Sequence, residues 1–461
     1  MARAGMDMVR LNMAHGKYAE HQKLIELIRE IGRDLEIPLG IEVDLQGPKI
    51  RVGEIAGAGL KLVAGKELVF TTNPKYAKKI AGDLSRDKIY VQYHNLHRDV
   101  EVGARMMLAD GKMCVKVLSV HGYDIVCRVL TGGLLTSHKG LNFPDTSISV
   151  ATITDKDKED LRFAIKNEVD WIGLSFVRAP EDIEELKELI ARYSHGKKPA
   201  ALITAKIETH EALDHLEEII AVSDGVVIAR GDLGPEVSMT AVPTYQKKIT
   251  EISRAQMKPV IVATQMLYSM TASPRPTRAE TSDVANAVFD HVDAIYLSDE
   301  TASGQYPVEA VRAASQVIKD AEKSTYDNLS TPRPVTGRQA DPGLVALSRH
   351  AAQVAREIKA RAVVVTTVSG QTAQAVSSAR VELPIVAVTA HKKIQRQLNL
   401  LWGVEPIVLP NIATINSLTA ELRQVLAEKY RFRPGDKIVF VDGVKKDKTE
   451  GENLVHIIDF K

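Results

Sequence analysis

Residues 201–234 read ALITAKIETHEALDHLEEIIAVSDGVVIARGDLG. Two short apolar runs, 201–207 and 225–228, enclose a helical pattern over 210–222. Strands that are apolar along their whole length are buried on both faces, which is typical of a parallel sheet covered by helices. Each run also ends next to polar residues, so the stretch predicts a β–α–β unit with chemistry at the carboxyl ends of its strands.

The same alternation of apolar runs and helical patterns extends on both sides of this unit. Further helices are predicted over 158–167, 180–193 and 244–255. Polar residues at the carboxyl ends of successive parallel strands form the active site of a (β/α)₈ barrel. Seven such strands are predicted, at 8–13, 39–45, 171–177, 201–207, 225–228, 259–263 and 294–297.

The predicted fold class is α/β, a (β/α)₈ TIM barrel that lacks its first strand in this chain, because a closed barrel of this type has eight strands. Gly5 stands where a glycine commonly ends a helix, so residues 1–4 are expected to be the last turn of one. We expect the missing strand and most of that helix to be encoded upstream of Met1.

Two further regions differ from the barrel in their sequence pattern. Residues 50–142 carry short strand-like segments joined by Gly, Asp and Asn turns, which predicts a small inserted β-barrel domain. The barrel then comprises 1–49 and 143–323. Residues 324–343 are rich in Ser, Thr, Pro and Gly and are interpreted as a linker, and 344–461 predict a C-terminal open-sheet α/β domain.

Composition narrows the class of protein. Of 461 residues, 44% are hydrophobic and 26% charged, which excludes a disordered or collagen-like chain. The formal net charge of +1 argues against a nucleic-acid partner. Cys114 and Cys127 are too few for a disulfide framework or a multi-cysteine zinc site. No apolar run approaches the ~20 residues that span a bilayer, so we expect a cytoplasmic enzyme that binds no membrane.

The strongest chemical signal lies at the ends of the two runs quoted first. Lys206 and Glu208 are two residues apart and face the same side of an extended strand. Asp232 lies between Gly231 and Gly234, in a turn whose backbone amides can approach an anion. Glu208 and Asp232 are oxygen ligands of the kind that Mg²⁺ prefers. The alternatives are a surface ion pair and a glycine-rich turn capped by an Asp.

Other strand ends add a hydroxyl and several charges. Thr264 follows the sixth run, although a lone threonine is usually structural. Cations near carboxylates suit a phosphorylated substrate, although each charge taken alone has an even chance of being an ordinary surface residue. The charged and polar residues around the first two runs are Arg10, Asn12, Asp44, Lys49 and Arg51.

Together these stretches resemble motifs of the pyruvate kinase family. They occur in the same order as in the family and extend along nearly the whole chain. The motifs that carry the resemblance are AGMDMVRLN (4–12), DLQGPKIR (44–51), KGLNFP (139–144), LSFVR (174–178), AKIE (205–208), ARGDLG (229–234), ATQML (263–267), PTRAE (276–280), SDVANA (282–287) and YPVEA (306–310). The resemblance implies transfer of the phosphoryl group of phosphoenolpyruvate to ADP, giving pyruvate and ATP in the last step of glycolysis.

The resemblance also implies site residues. Lys206, Thr264 and Arg10 are the expected catalytic residues, with Glu208 and Asp232 as ligands of Mg²⁺ or Mn²⁺. Phosphoenolpyruvate is expected to contact Arg10, Ser175, Lys206, Gly231, Asp232, Thr264 and Ser298. ADP and ATP are expected to contact Asn12, His15, Arg51 and Lys139. The resemblance implies that the inserted domain over 50–142 is a lid that closes over the nucleotide.

The monovalent-cation region departs from the common family pattern. Asn12 and Asp44 remain, but Ala14 and Leu45 replace hydroxyl-bearing positions and Lys49 replaces a glutamate. The pattern resembles the branch of the family that does not require K⁺, in which a lysine ammonium stands in for the ion. We therefore expect Lys49 to lie beside Asp44 and turnover not to need K⁺.

The C-terminal domain resembles the family's effector domain, which implies a phosphorylated effector and a homotetramer. The expected effector loop comprises Thr367, Ser369, Gly370, Gln371 and Thr372, with cations from 442–447, although a plain capped helix is the alternative. Two other functions stay open: a Mg²⁺-dependent phosphoenolpyruvate or pyruvate lyase of the barrel type, and an inactive sugar-phosphate-binding homologue that lost activity with its N-terminus.

Overall fold

The computed structural model describes residues 1–84, 87–196, 199–324, 342–410, 419–442 and 454–460. The chain starts with a 3₁₀ turn at Ala2–Ala4, which ends at Gly5 in the left-handed conformation (φ 111°). Strand β1 (Met8–Asn12), helix α1 (Tyr18–Asp34) and strand β2 (Gly40–Asp44) follow. β1 and β2 pair in parallel, with Arg10 opposite Glu42 and Asn12 opposite Asp44.

The next region is built almost entirely of strands around its own core, which contains Phe70, Met106, Ile125 and Leu135. It forms a six-stranded sheet in the order β10-β6-β7-β8-β4-β5 and a two-stranded β3-β9 ladder. Its elements are β3 (Leu60–Leu62), β4 (Glu67–Thr71), β5 (Ile89–Tyr90), α2 (Leu96–Asp99), β6 (Arg105–Leu108), β7 (Met113–His121), β8 (Asp124–Thr131), β9 (Gly133–Leu135) and β10 (Leu141–Asn142).

After this insertion the chain returns to alternating helices and buried strands. The strands are β11 (Trp171–Leu174), β12 (Leu202–Ile207), β13 (Gly225–Ala229), β14 (Val260–Ala263) and β15 (Ala294–Tyr296). The helices are α3 (Asp155–Lys166), α4 (Pro180–Tyr193), α5 (His210–Asp214), α6 (Leu216–Val222), α7 (Arg230–Glu236), α8 (Val242–Ala255), α9 (Arg278–Phe289), α10 (Asp299–Ala302) and α11 (Pro307–Glu322).

These strands form one curled parallel sheet in the order β1-β2-β11-β12-β13-β14-β15. All seven predicted barrel strands are present, and within the described ranges no ladder pairs β15 with β1. Residues of β2, β11, β13 and β14 are buried along the whole strand, as expected for a sheet covered by helices. The helical pattern predicted over 210–222 forms two helices, since α5 ends at Asp214 and α6 begins at Leu216.

The C-terminal domain is an open five-stranded sheet in the order β18-β17-β16-β19-β20, with β20 antiparallel. Most of the predicted linker lies outside the described residues. The elements are α12 (Pro342–Glu357), β16 (Ala362–Thr366), α13 (Gln371–Ser378), β17 (Ile385–Thr389), α14 (Lys392–Leu398), β18 (Val404–Val408), α15 (Ala420–Tyr430), β19 (Lys437–Asp442) and β20 (Leu454–Asp459). Across the described ranges, no helix has the length and apolarity that crossing a membrane requires.

Two ion pairs to buried carboxylates attach this domain to the amino ends of the barrel strands. Arg380 reaches Asp293, which directly precedes β15, at 2.8 Å. Arg396 reaches Asp170, which directly precedes β11, at 2.8 Å. Asp170 also accepts the backbone N–H of Ile41 on β2. The domain is thereby tied to the frame of the barrel at the face opposite the predicted active site.

Candidate active site

The carboxyl ends of three neighbouring strands, β2, β11 and β12, converge on the ammonium group of Lys206. Its Nζ lies 3.0 Å from Glu208 Oε1 and 3.2 Å from Asp44 Oδ1. It also donates a hydrogen bond of 2.7 Å to Ser175 Oγ. Arg10 Nη1 lies 3.1 Å from the other oxygen of Asp44. The predicted catalytic Lys206 and Arg10 thus meet on one carboxylate.

This cluster is withdrawn from water. The Lys206 side chain is 12% exposed, and those of Asp44 and Glu208 are 4% and 1% exposed. Burial by itself lowers the pKa of Lys206, but the charges of Asp44 and Glu208 outweigh it and raise the pKa above its usual value. The lysine therefore stays a cation, which is the form needed to stabilise a developing negative charge.

Glu208 and Asp232 are brought to the same site. Burial, with the charges of Asp232 and Asp44, raises the pKa of Glu208 against the opposing effect of Lys206. A divalent cation would relieve this repulsion. Two carboxylates suit Mg²⁺, which takes one or two from the protein and further oxygens from substrate phosphates. The donor set therefore fits a Mg²⁺ site completed by the substrate, and no group of three or more potential protein ligands occurs in the described ranges.

The structure corrects the expected position of Lys49. Its ammonium lies 3.1 Å from Asp232 Oδ1, and Asp44 is not its partner. The physical reason is that Asp44 already faces two cations, Arg10 and Lys206, whereas Asp232 has a carboxylate oxygen open to an ion pair. Lys49 thus neutralises a predicted metal ligand.

Thr264 is held in an unusual backbone conformation, with φ 74°. Its hydroxyl accepts a hydrogen bond from the backbone N–H of Gly231 at 2.8 Å and donates one to the Ala263 carbonyl at 2.6 Å. The side chain of Arg230 closes the same turn, since it donates to the Thr264 carbonyl and pairs with Asp283. The threonine and the glycine-rich turn therefore form one hydrogen-bonded unit at the ends of β13 and β14.

Other predicted residues lie apart from this cluster or form hydrogen bonds within their own loops. Asn12 Oδ1 accepts the backbone N–H of Ala14, and the Ser298 N–H donates to Glu300. Arg51 donates to the His138 carbonyl at the base of the inserted domain. His15 and Lys139 are exposed. Leu45 is buried and its carbonyl accepts the Ser175 hydroxyl.

Sequence reasoning missed one polar layer directly beneath the cluster. Glu42 and Thr204 precede Asp44 and Lys206 by two residues, so the members of each pair face the same side of their strand. Tyr296, the last residue of β15, joins them. Thr204 Oγ1 donates to Glu42 Oε1 at 2.5 Å, and the Tyr296 hydroxyl donates to Glu42 Oε2. Burial, together with the charge of Asp44, raises the pKa of Glu42 to about 7. The sequence did carry one sign of this layer, because Glu42 is a charged residue within a run of apolar ones.

The expected effector loop lies at the other end of the barrel. The Thr367 hydroxyl accepts the N–H of Gly370, which has φ 93° and precedes α13. Ser369, Gly370 and Gln371 line a cavity of about 300 Å³ between the C-terminal domain and the base of the barrel. Thr372 is buried. The lysines expected from the terminal loop, Lys445 and Lys446, lie outside the described residues.

Comparisons with known proteins agree with this architecture. Residues 1–311 match the family described as "Pyruvate kinase, barrel domain", and 345–458 match "Pyruvate kinase, alpha/beta domain". The chain is 41% identical to "Pyruvate kinase 2" of Synechocystis, over 99% of this chain and 75% of that protein. It is 38% identical to "Pyruvate kinase" of Clostridium perfringens, over 99% of this chain and 94% of that protein.

A solved structure is similar over the whole chain. The pyruvate kinase from Cryptosporidium parvum superposes with a TM-score of 0.90 at 33% identity, covering all of this chain and 92% of the other. Both the barrel and the C-terminal domain are therefore matched in sequence and in structure. The resemblance first seen in the motifs is confirmed, and this chain belongs to the pyruvate kinase family, whose members are phosphotransferases.

Proposed function

We propose that this chain transfers the phosphoryl group of phosphoenolpyruvate to ADP, giving ATP and, after protonation of the enolate, pyruvate. The observation that carries the proposal is the buried ammonium of Lys206, held between Asp44 and Glu208 at the carboxyl ends of the barrel strands. The P–O bond of phosphoenolpyruvate breaks, its electron pair stays on the enolate oxygen, and a bond forms from phosphorus to a terminal oxygen of ADP.

Lys206 and Arg10 supply the fixed positive charge in this scheme. Lys206 stabilises both the transferring phosphoryl group and the enolate oxygen, and Arg10 contacts the phosphoryl group. Such preorganised charges act strongly in a site that excludes water. Glu208 and Asp232 would hold Mg²⁺, or Mn²⁺, which when bound supplies further positive charge to the phosphate oxygens. Ser175 keeps Lys206 aligned through its 2.7 Å hydrogen bond.

Thr264 and the turn at Gly231 form a wall of the proposed site at the ends of β13 and β14, next to the strand that carries Lys206. Their mutual hydrogen bond fixes both against each other. We assign the substrate carboxylate to this wall, together with Asp232 and Ser298. The Thr264 hydroxyl then lies where it can orient a water molecule that delivers a proton to the enolate carbon.

The remaining assignments extend the proposal to the nucleotide, the cations and the effector. Asn12, His15, Arg51 and Lys139 contact ADP when the inserted domain closes over it as a lid. K⁺ is not required, because Arg10 and Lys206 already carry positive charge at Asp44. A phosphorylated effector binds the loop at Thr367, Ser369, Gly370, Gln371 and Thr372, and the enzyme is a cytoplasmic homotetramer.

The test is to incubate the purified chain with phosphoenolpyruvate, ADP and MgCl₂, and to measure pyruvate and ATP separately. We expect equal amounts of both, and no pyruvate when ADP is omitted. Pyruvate and inorganic phosphate formed without ADP would show hydrolysis and would contradict transfer to ADP. Condensation of pyruvate with an added aldehyde, without formation of ATP, would indicate the lyase alternative. A folded protein that binds phosphoenolpyruvate without turnover would indicate the inactive homologue.

A further inference from the structure

A buried carboxylate lies inside the curl of the barrel sheet, below the proposed catalytic residues. Glu42 is 2% exposed and accepts hydrogen bonds from Thr204 and Tyr296. Its carboxylate has room because Gly173 lies beside it. A Cβ at Gly173 would stand 3.2 Å from Glu42 Oε1 and 3.3 Å from Thr204 Oγ1. The pocket for this carboxylate is therefore built into three strands.

Tyr296 connects the two ends of the sheet through this pocket. It is the last residue of β15, whereas Arg10 and Glu42 are on β1 and β2 at the other end of the strand order. Its hydroxyl donates to Glu42, and the guanidinium carbon of Arg10 lies 5.7 Å from the centre of its ring. One side chain thus touches both a buried acceptor and a proposed catalytic cation.

Arg10 needs such a support. Its ion pair with Asp44 uses Nη1, and Asp44 is shared with Lys206. One contact through one nitrogen leaves the plane of the guanidinium free to rotate about that bond. An aromatic ring against the guanidinium face removes this freedom and adds a favourable cation–π contact.

We propose that Tyr296 is a positioning residue of the phosphoryl-transfer reaction, which holds the guanidinium of Arg10 toward the substrate and is itself held by Glu42. The inference rests on the proposed function, in which Arg10 contacts the phosphoryl group. Thr204 completes the unit, because its hydrogen bond fixes the carboxylate that receives the tyrosine hydroxyl.

The proposal predicts a graded series of variants. Tyr296→Leu loses the ring, and we expect kcat/KM for phosphoenolpyruvate to fall by ~2- to 30-fold, the range that a cation–π contact supplies. Tyr296→Phe keeps the ring but loses its anchor, so its effect should be smaller. Glu42→Gln should resemble Tyr296→Phe, since its amide can accept only one of the two hydrogen bonds. Tyr245→Phe on α8 is the matched control.

The decisive comparison is made in the absence of Arg10. If Tyr296 acts through Arg10, Arg10→Met combined with Tyr296→Leu should be no slower than Arg10→Met alone. If the double variant were slowed by the product of the two single-variant factors, the proposal would be overturned. Wild-type kinetics in Tyr296→Leu would overturn it as well. A lowered melting temperature with unchanged kinetics would show a structural role only.

A second readout does not depend on turnover. The side-chain Nε–H resonance of Arg10, assigned through its loss in Arg10→Met, should shift in both Tyr296→Phe and Tyr296→Leu. An unshifted resonance in a folded Tyr296→Leu variant would contradict the contact itself. An inactive wild-type enzyme would remove the proposed function but would leave this positioning test intact.

Discussion

Thr264 combines an unusual backbone with two hydrogen bonds from one hydroxyl. A non-glycine residue at φ 74° carries a strain of roughly 1–3 kcal/mol, and such strain collects at functional sites. The hydroxyl both accepts from Gly231 and donates to Ala263. Removing it leaves the Gly231 N–H without this acceptor, while any change that keeps an Oγ preserves the turn.

Thr264→Ser should therefore keep most of the activity, and Thr264→Ala should lower kcat by ~10²-fold, as expected for loss of a group that assists proton transfer. KM for phosphoenolpyruvate should rise less than kcat falls. Steady-state kinetics of both variants check this expectation. Equal activity of the serine and alanine variants would show that the hydroxyl takes no part.

Lys49 gives a second prediction at the same scale. Since its ammonium lies on Asp232, Lys49→Gln should change the Mg²⁺ concentration for half-maximal rate and not the response to K⁺. For the wild type, and separately for Lys49→Gln, the rate in KCl should equal the rate in tetramethylammonium chloride of the same ionic strength. A variant that becomes activated by K⁺, beside an unresponsive wild type, would instead place Lys49 at the monovalent-cation region as first expected.

At the scale of elements, helix α9 shows how a motif can be explained by local structure. Thr277 accepts the Glu280 N–H, and Glu280 reaches back to the Thr277 N–H at 2.8 Å, which forms a capping box. Glu280 also accepts the N–H of Ser269 from the preceding loop. The PTRAE motif thus fixes the start of a helix next to the site.

These bonds give a pH dependence with a defined sign. Although burial opposes it, hydrogen bonds from Ser269 and Thr277 lower the pKa of Glu280 below 4.5. A carboxylate with a lowered pKa in the folded state stabilises the protein above pH 4.5, and this stability is lost as the pH falls through the lowered pKa. Glu280→Gln should therefore lower the melting temperature at pH 7 more than at pH 3. A constant difference across that range, or the same behaviour in the exposed control Glu188→Gln, would contradict it.

The barrel strands and the principal site residues were predictable because each leaves a local pattern. A buried parallel strand is an apolar run, and polar residues at its end mark the face where an active site would lie, so spacing made Lys206, Glu208 and Asp232 candidates for the site. Partners across the sheet leave no such pattern. The choice of Lys49 between Asp44 and Asp232, and the bond from Tyr296 to Glu42, depend on the curl that brings distant strands together. Short strands such as β6 and β9 were missed because their pairing is decided by neighbours in the sheet.

At the scale of the molecule, the C-terminal domain is joined to the barrel by a buried arginine, Arg380, and a partly buried one, Arg396. Arg380 is 5% exposed and binds both oxygens of Asp293, while Asp293 also accepts N–H groups from Val260 and Trp402. Burial, together with Arg380, lowers the pKa of the adjacent Arg254 to about 10. A buried carboxylate that loses its partner strongly lowers the free energy of unfolding, so this junction should dominate the coupling of the two domains.

Arg380→Met should lower the free energy of unfolding by about 3–5 kcal/mol and separate the unfolding of the C-terminal domain from that of the barrel. Urea unfolding followed by circular dichroism measures both effects. Arg128→Met removes an exposed pair with Glu67 in the inserted domain and should cost about 0–1 kcal/mol. If the two variants lose the same stability, the Arg380 pair does not couple the domains.

The central claim is that a phosphoryl group is transferred beside the buried ammonium of Lys206. The direct measurement is ³¹P NMR of phosphoenolpyruvate and ADP with Mg²⁺, using wild type and Lys206→Met whose folding is confirmed by circular dichroism. We expect the wild type to convert the phosphoenolpyruvate signal into the γ-phosphate signal of ATP, and the variant to be slower by at least ~10²–10³-fold. Comparable rates in the two proteins, or no ATP signal from the folded wild type, would contradict the account.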